Sequence, residues 1–169
     1  MAEQEVVVDK ERIEYEGIFS VAELYRLIDE WLLDKGYYRM EPRHVEAVKP
    51  EGRFVEVTLN PSKGLTDYAK SVFKIQIQLS NIKDVTLETG EGVKQRLNQG
   101  KVLLVLSGIL ETDTEGKWEG KPLFMFIRTI YDKYLYKPLT GGFQQQVKDD
   151  LLQLKNIIAG FLNLHRYTT

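Results

Sequence analysis

The 169-residue chain has no cysteine. Disulfides, thiolate metal sites and cysteine nucleophiles are therefore excluded, and the composition fits a reducing compartment. Histidine occurs only as His44 and His165. A histidine borne on a strand reads as a surface or paired residue, because catalysis needs an oriented partner. His165, next to Arg166, suits a helix C-terminus, where cations meet the negative end of the dipole. No cofactor is implied, and transition-metal binding is not expected. Long apolar runs are also missing: Val102 to Leu106 and Leu123 to Ile127 are five residues each, against the roughly 20 that a spanning helix needs. Residues 1–10 hold Glu3, Glu5 and Asp9 around three valines, the opposite of a basic and then apolar signal sequence. A cytoplasmic location without a membrane span is the expectation. There is no internal repeat and no low-complexity stretch.

The content that remains is that of one folded domain. Hydrophobic residues make up 43% and charged residues 28%, ordinary values for a chain long enough to bury its own core. A single domain over 1–169 is expected, with residues 1–9 flexible. The net charge of −2 is unevenly spread, since residues 1–34 hold ten acidic and three basic side chains. The small positive excess in the rest of the chain is well below a nucleic-acid footprint, so nucleic acid is not an expected partner.

Residues 11–19 alternate polar with apolar, as a half-buried strand does. Ser20 with Glu23 forms a capping-box pattern, Phe19 is placed for a hydrophobic staple, and a helix follows through Val21, Leu24, Leu27, Ile28, Trp31 and Leu32 to a stop at Gly36. From Tyr37 to Leu110 the period falls to two. Strands are expected at 38–49, 53–59, 71–79, 84–88, 93–97 and 102–110, separated by Pro50-Glu51-Gly52, by Asn60 to Gly64 and by Thr89 to Gly92. The last of these is apolar on both faces and is expected to be central. Residues 112–120 are a polar loop. Leu123 to Tyr136 follows Pro122 and fits helical spacing through Leu123, Ile127, Ile130, Tyr131 and Tyr134, with a strand through Leu123, Met125 and Ile127 as the competing reading. Lys137-Pro138 breaks that element, and a long amphipathic helix is expected over 143–164.

Arrangements that could carry chemistry fall short of what the chemistry requires. Glu111, Asp113 and Glu115 alternate as a calcium loop begins, but the remaining ligands are missing at the required offsets. No Gly-x-Ser-x-Gly elbow occurs, and Ser62-Lys63-Gly64 lacks the spacing of a phosphate loop. The densest aromatic group is Trp118, Phe124, Phe126, Tyr131, Tyr134 and Tyr136, which could pack a core or line a pocket. The C-terminal helix presents Phe143, Val147, Leu151, Leu154, Ile158 and Phe161 in one stripe, broadened by Leu152, Ile157, Leu162 and Leu164. A face that wide exceeds one flat contact with a sheet. Gly160 within it suggests close packing.

The element order of strand, helix, antiparallel strands and long C-terminal helix resembles the START-like (helix-grip) superfamily of polyketide cyclases and lipid-transport proteins. The helix at 123–136 departs from that pattern. The resemblance implies an α+β fold whose sheet, of about six strands, curls around the C-terminal helix and leaves an apolar cavity between them. The family has few universal motifs, so it supplies no site residues; the broad helix stripe and the aromatic cluster motivate the leading reading, a non-enzymatic module for an apolar or amphipathic small molecule, with Trp118, Phe124, Tyr131, Tyr134, Leu154, Ile158 and Phe161 as the candidate ligand-binding residues. A protein-interaction or scaffold domain, homodimeric or with another partner, is the alternative. An enzyme of the cyclase or hydrolase kind, using Glu56 or Asp67 with a tyrosine, is the third reading.

Overall fold

A computed structural model describes residues 3–40, 43–112 and 136–166, with the side chains of 136–141 and 164–166 excepted. The elements in chain order are β1 (Glu3–Phe19), α1 (Val21–Asp34), β2 (Arg43–Lys49), β3 (Gly52–Leu59), β4 (Ser62–Gly64), β5 (Ala69–Glu88), β6 (Lys94–Thr112) and α2 (Tyr136–Arg166). The class is α+β, with an antiparallel sheet and the C-terminal helix packed on one of its faces. The expected helix at 123–136 and its strand alternative, apart from Tyr136, lie outside the described residues, as do Trp118, Phe124, Tyr131 and Tyr134.

Helix α1 begins where the sequence places it. Ser20 is extended, with φ −105° and ψ 116°, and its Oγ accepts from the Glu23 amide at 3.2 Å. The Val21 amide is satisfied from outside the helix, donating to Asn98 Oδ1 on β6 at 3.1 Å. At the other end Gly36 has φ +81°, and the Tyr37 amide donates to the Leu32 carbonyl at 2.8 Å. The left-handed residue turns the chain so that orphan carbonyls of the last turn are met. Leu24, Ile28, Trp31 and Leu32 form the buried face.

The sheet runs β1-β6-β5-β3-β2, with β4 paired to β5. It has fewer and longer strands than the turn residues suggest. Segments 71–79 and 84–88 are one strand, β5, interrupted by a bulge at Asn81, which has φ +56°. The register slips there on both sides, between Ser80 and Lys83 against β6 and between Arg53 and Val55 against β3. Segments 93–97 and 102–110 are likewise one strand, β6, which continues through Gly100. Gly52 faces the bulge with φ +137°, and a Cβ there would lie 2.7 Å from the Asn81 carbonyl carbon. The turn expected at 60–64 contains the short strand β4, whose Ser62 pairs with Val72. At the N-terminus the strand starts at Glu3 rather than at residue 11, so residues 3–9, expected to be flexible, belong to β1. Register shifts between Val6 and Val8 and between Val8 and Glu11 break the alternation that would have revealed it. Lys10 lies in the second, with φ +51°.

Strand β6 has neighbours on both sides, β1 and β5, over most of its length. Its even-numbered residues from Val102 to Leu110 face the core, while Leu103, Val105 and Ile109 are half-buried on the opposite face. Helix α2 lies against β1, β6 and β5 and meets α1 at one side. Val147, Leu151, Leu154 and Ile158 have no exposed surface. Their spacing of three and four is the core stripe of an amphipathic helix. The helix sits close to the sheet because β6 has no side chain at Gly108, where an added Cβ would come 3.1 Å from Val147 Cγ1. The breadth of the apolar face is explained in part by the extent of the core around it: Leu162 is buried, and Ile157, Phe143 and Phe161 pack against the core cluster. Gly160 does not behave as expected. It is exposed, and an added Cβ would meet nothing within 4 Å. Pro138, expected to end a preceding element, instead falls in the first turn of α2, where a missing N–H removes no internal bond.

Candidate functional site

Three polar side chains meet in the layer between sheet and helices. Ser71 lies on the core face of β5 with no exposed surface, and Tyr37, just past α1, is 4% exposed. Their hydroxyl oxygens are 2.9 Å apart, and the Tyr37 hydroxyl donates to Asp150 Oδ2 on α2 at 3.1 Å. Since the phenol has one proton and gives it to the carboxylate, Ser71 is the donor to the tyrosine oxygen. Burial pushes the Tyr37 phenol above the ordinary tyrosine range. The Ser71 hydroxyl opposes that shift, and the Asp150 carboxylate adds to it. The ring of Tyr37 stacks on Phe73 at 4.5 Å between centroids, and Trp31 contacts both rings, at 5.9 Å from Tyr37 and 6.3 Å from Phe73. A neutral phenol held this firmly joins three elements and is a poor proton shuttle near neutrality.

The candidate ligand residues among those described are parts of this core. Leu154 and Ile158 have no exposed surface, and Phe161 packs against the core cluster from its edge. Glu56 and Asp67 are not brought together. Glu56 lies on the outer face of β3 beside Arg43, and Asp67 is exposed in the turn before β5.

The outer face of the sheet is built differently. Registered pairs place Glu14, Leu103, Gln78, Glu56 and Val45 in one row across five strands. The next row is Arg12, Val105, Gln76, Thr58 and Arg43. The period of two in each strand forces this layout, because residues two apart return to the same face. Leu103 and Val105 with the amides of Gln76 and Gln78 form the middle. Ion pairs bracket them, Arg12 to Glu14 at 2.8 Å on β1 and Arg43 to Glu56 at 3.5 Å across β2 and β3. The Arg12 and Glu14 side chains are 63% and 67% exposed, so the pair adds little to stability and both charges stay available to a partner.

This face carries three adjoining hollows. A hollow of about 420 Å³ lies over Glu14, Gln78, Ser80, Lys101 and Leu103. It shares Gln78 and Leu103 with a second of about 210 Å³ that reaches Glu56, Thr58, Gln76 and Val105. In the other direction it shares Glu16 and Lys101 with a third, of about 350 Å³, at the bulge beside Gly17, Asn81 and Gly100. Together they cross β1, β6, β5 and β3. An apolar floor with amides in the centre and charges at the rim is the pattern of a recognition surface rather than of a reaction centre.

Sequence reasoning missed both features for different reasons. Ser71 shares its parity with Phe73, Ile75 and Ile77, so a polar residue on the core side was visible in the strand pattern, but nothing in the spacing linked it to Tyr37 or Asp150. The outer rows depend on register between strands far apart in sequence, which no single strand reveals. No protein-family model matches this chain, and no curated protein matches it.

Proposed function

We propose that this chain is a non-enzymatic protein-interaction module whose contact surface is the open face of the sheet, the one that no helix among the described residues covers. The observation that carries this reading is the pair of adjoining hollows over Leu103, Gln76 and Gln78, bracketed by the Arg12–Glu14 and Arg43–Glu56 pairs. The favoured partner is a protein surface of matching chemistry, with a small apolar centre and paired charges of both signs around it. Further support comes from the opposite face, where Leu154 and Ile158 have no exposed surface and the side chains between sheet and α2 already contact one another. A ligand between sheet and helix would have to displace them. Each buried leucine or isoleucine moved out of the core would cost roughly 1.5–3 kcal/mol of apolar burial.

The test uses a photoreactive amino acid in place of Gln76, in the full chain and in its native cell extract, with the same group at exposed Asn156 on α2 as the control. The expected result is a discrete protein adduct from position 76 that disappears in a Leu103→Glu background and is absent from position 156. An adduct that persists in Leu103→Glu, or none at all, would overturn the reading.

A further inference from the structure

We infer that the partner on the open face is a second copy of this chain, docked sheet to sheet about a two-fold axis that lies between the copies, parallel to the sheet, and crosses the strands midway between the two central rows. The inference rests on the interaction reading above and names its partner. What points to it is that the two rows are complementary to each other. Rotation by a half turn about that axis lays one row over the other, strand position by strand position.

Under this operation Glu14 of one copy stands over Arg12 of the second, and Arg12 over Glu14, because both belong to β1 in adjacent rows. Leu103 stands over Val105, and Gln78 over Gln76, so the apolar centre meets apolar groups and each amide meets an amide that can both donate and accept. Glu56 stands over Thr58, with Arg43 of the second copy one strand away. One row further out, Lys101 is placed over Ser107, and Ser80 over Lys74. In the two central rows no like charges are directly opposed; one row out, Lys101 has Lys74 of the second copy one strand away. An isologous contact requires this kind of self-complementarity, since each residue pair occurs twice. Arg12–Glu14 and Arg43–Glu56 are intrachain pairs in a single copy; in the dimer each becomes one side of a four-charge cluster.

The size of the face limits the contact. Five strands about 4.8 Å apart and nine residues of β5 at about 3.4 Å each give a platform of about 20 Å by 27 Å. That is somewhat below the roughly 800 Å² per partner of a standard stable interface. The proposed dimer is reversible, with a dissociation constant of about micromolar order, aligned strands and sheets about 10 Å apart.

The experiment is sedimentation equilibrium of the purified full chain and three variants, Leu103→Glu, Arg12→Glu and the exchange Arg12→Glu with Glu14→Arg, each checked by circular dichroism for an unchanged fold. The expected result is a reversible dimer in the wild type, a dimer constant weakened at least tenfold by Leu103→Glu and by Arg12→Glu, and recovery in the double exchange. The double exchange restores opposite charges across the axis, as the proposed register requires. A chain that is monomeric up to about 200 µM, far above a micromolar dissociation constant, would overturn the inference, as would a dimer that Leu103→Glu leaves intact. Failure here is separable from failure of the broader reading: with a monomeric chain, a position-76 adduct to a different protein keeps the open face as an interaction surface, whereas no adduct removes both.

Discussion

The Tyr37 hydroxyl donates to the Asp150 carboxylate across 3.1 Å while lying 2.9 Å from Ser71 Oγ, so one phenol ties α2 to β5. Tyr37→Phe is expected to destabilise the protein by about 1–3 kcal/mol, because Ser71 is then left buried without its partner. Ser71→Ala alone should cost less, because the Tyr37 hydroxyl keeps Asp150 as its acceptor. The double variant should cost clearly less than the two added together, since removing both partners leaves no orphan in that bond. Chemical denaturation of the four proteins gives the cycle, and strict additivity would mean that the two hydroxyls do not interact.

Alkaline stability should carry a Tyr37 component. An unfolded tyrosine ionises near pH 10, while burial keeps the folded Tyr37 phenol protonated to higher pH. The folded state then holds a proton that the unfolded state has lost. The contribution is complete below about pH 10 and is lost as pH rises from there, at no more than about 1.4 kcal/mol per pH unit. Between pH 9 and 12 the wild type should lose stability more steeply than Tyr37→Phe, as followed by urea midpoints. Equal slopes would contradict the burial of the phenol.

Gly160 is the opposite kind of site. It is exposed on α2, and an added Cβ meets nothing within 4 Å. Gly160→Ala is therefore expected to stabilise the protein by up to about 1 kcal/mol through lower backbone entropy in the unfolded chain. Thermal unfolding should show a rise of about 2–4 °C. A fall would show that the helix face carries a contact at that position.

Gly52 should be intolerant. Its φ of +137° and the 2.7 Å approach of a Cβ to the Asn81 carbonyl carbon combine strain with a backbone clash. Gly52→Ala is expected to cost about 1–3 kcal/mol, with the thermal midpoint as readout. A neutral result would mean that the bulge in β5 relaxes without penalty.

Much of the architecture was legible because its signals are local. The capping pair Ser20 and Glu23, the stop at Gly36, the alternation of Phe73, Ile75, Ile77 and Leu79, and the stripe of Val147, Leu151, Leu154 and Ile158 each identify an element from its own residues. Bulges defeated the same method. Asn81 and Lys10 take positive φ and shift the parity of the residues after them, so one long strand reads as two and the start of β1 reads as no strand. Gly100 and Pro138 read as breaks, although a glycine can continue a strand and a proline can open a helix. The candidate site was barely legible. Leu103 and Val105 looked like the second face of a central strand, and only the register that sets them beside Gln78 and Gln76 turns them into the middle of a surface. Leu154 and Ile158, singled out by the breadth of the helix stripe, are covered by the sheet.

The central claim, that the open face and not the helix side is where this protein makes contact, is tested most directly by methyl NMR. Spectra of the labelled full chain would be compared from about 500 µM down to about 10 µM, a range that brackets a micromolar dissociation constant. The account predicts that the Leu103 and Val105 methyl signals move with concentration while those of Leu154 and Ile158 stay fixed. Fixed Leu103 and Val105 signals across the range, or movement confined to Leu154 and Ile158, would contradict it.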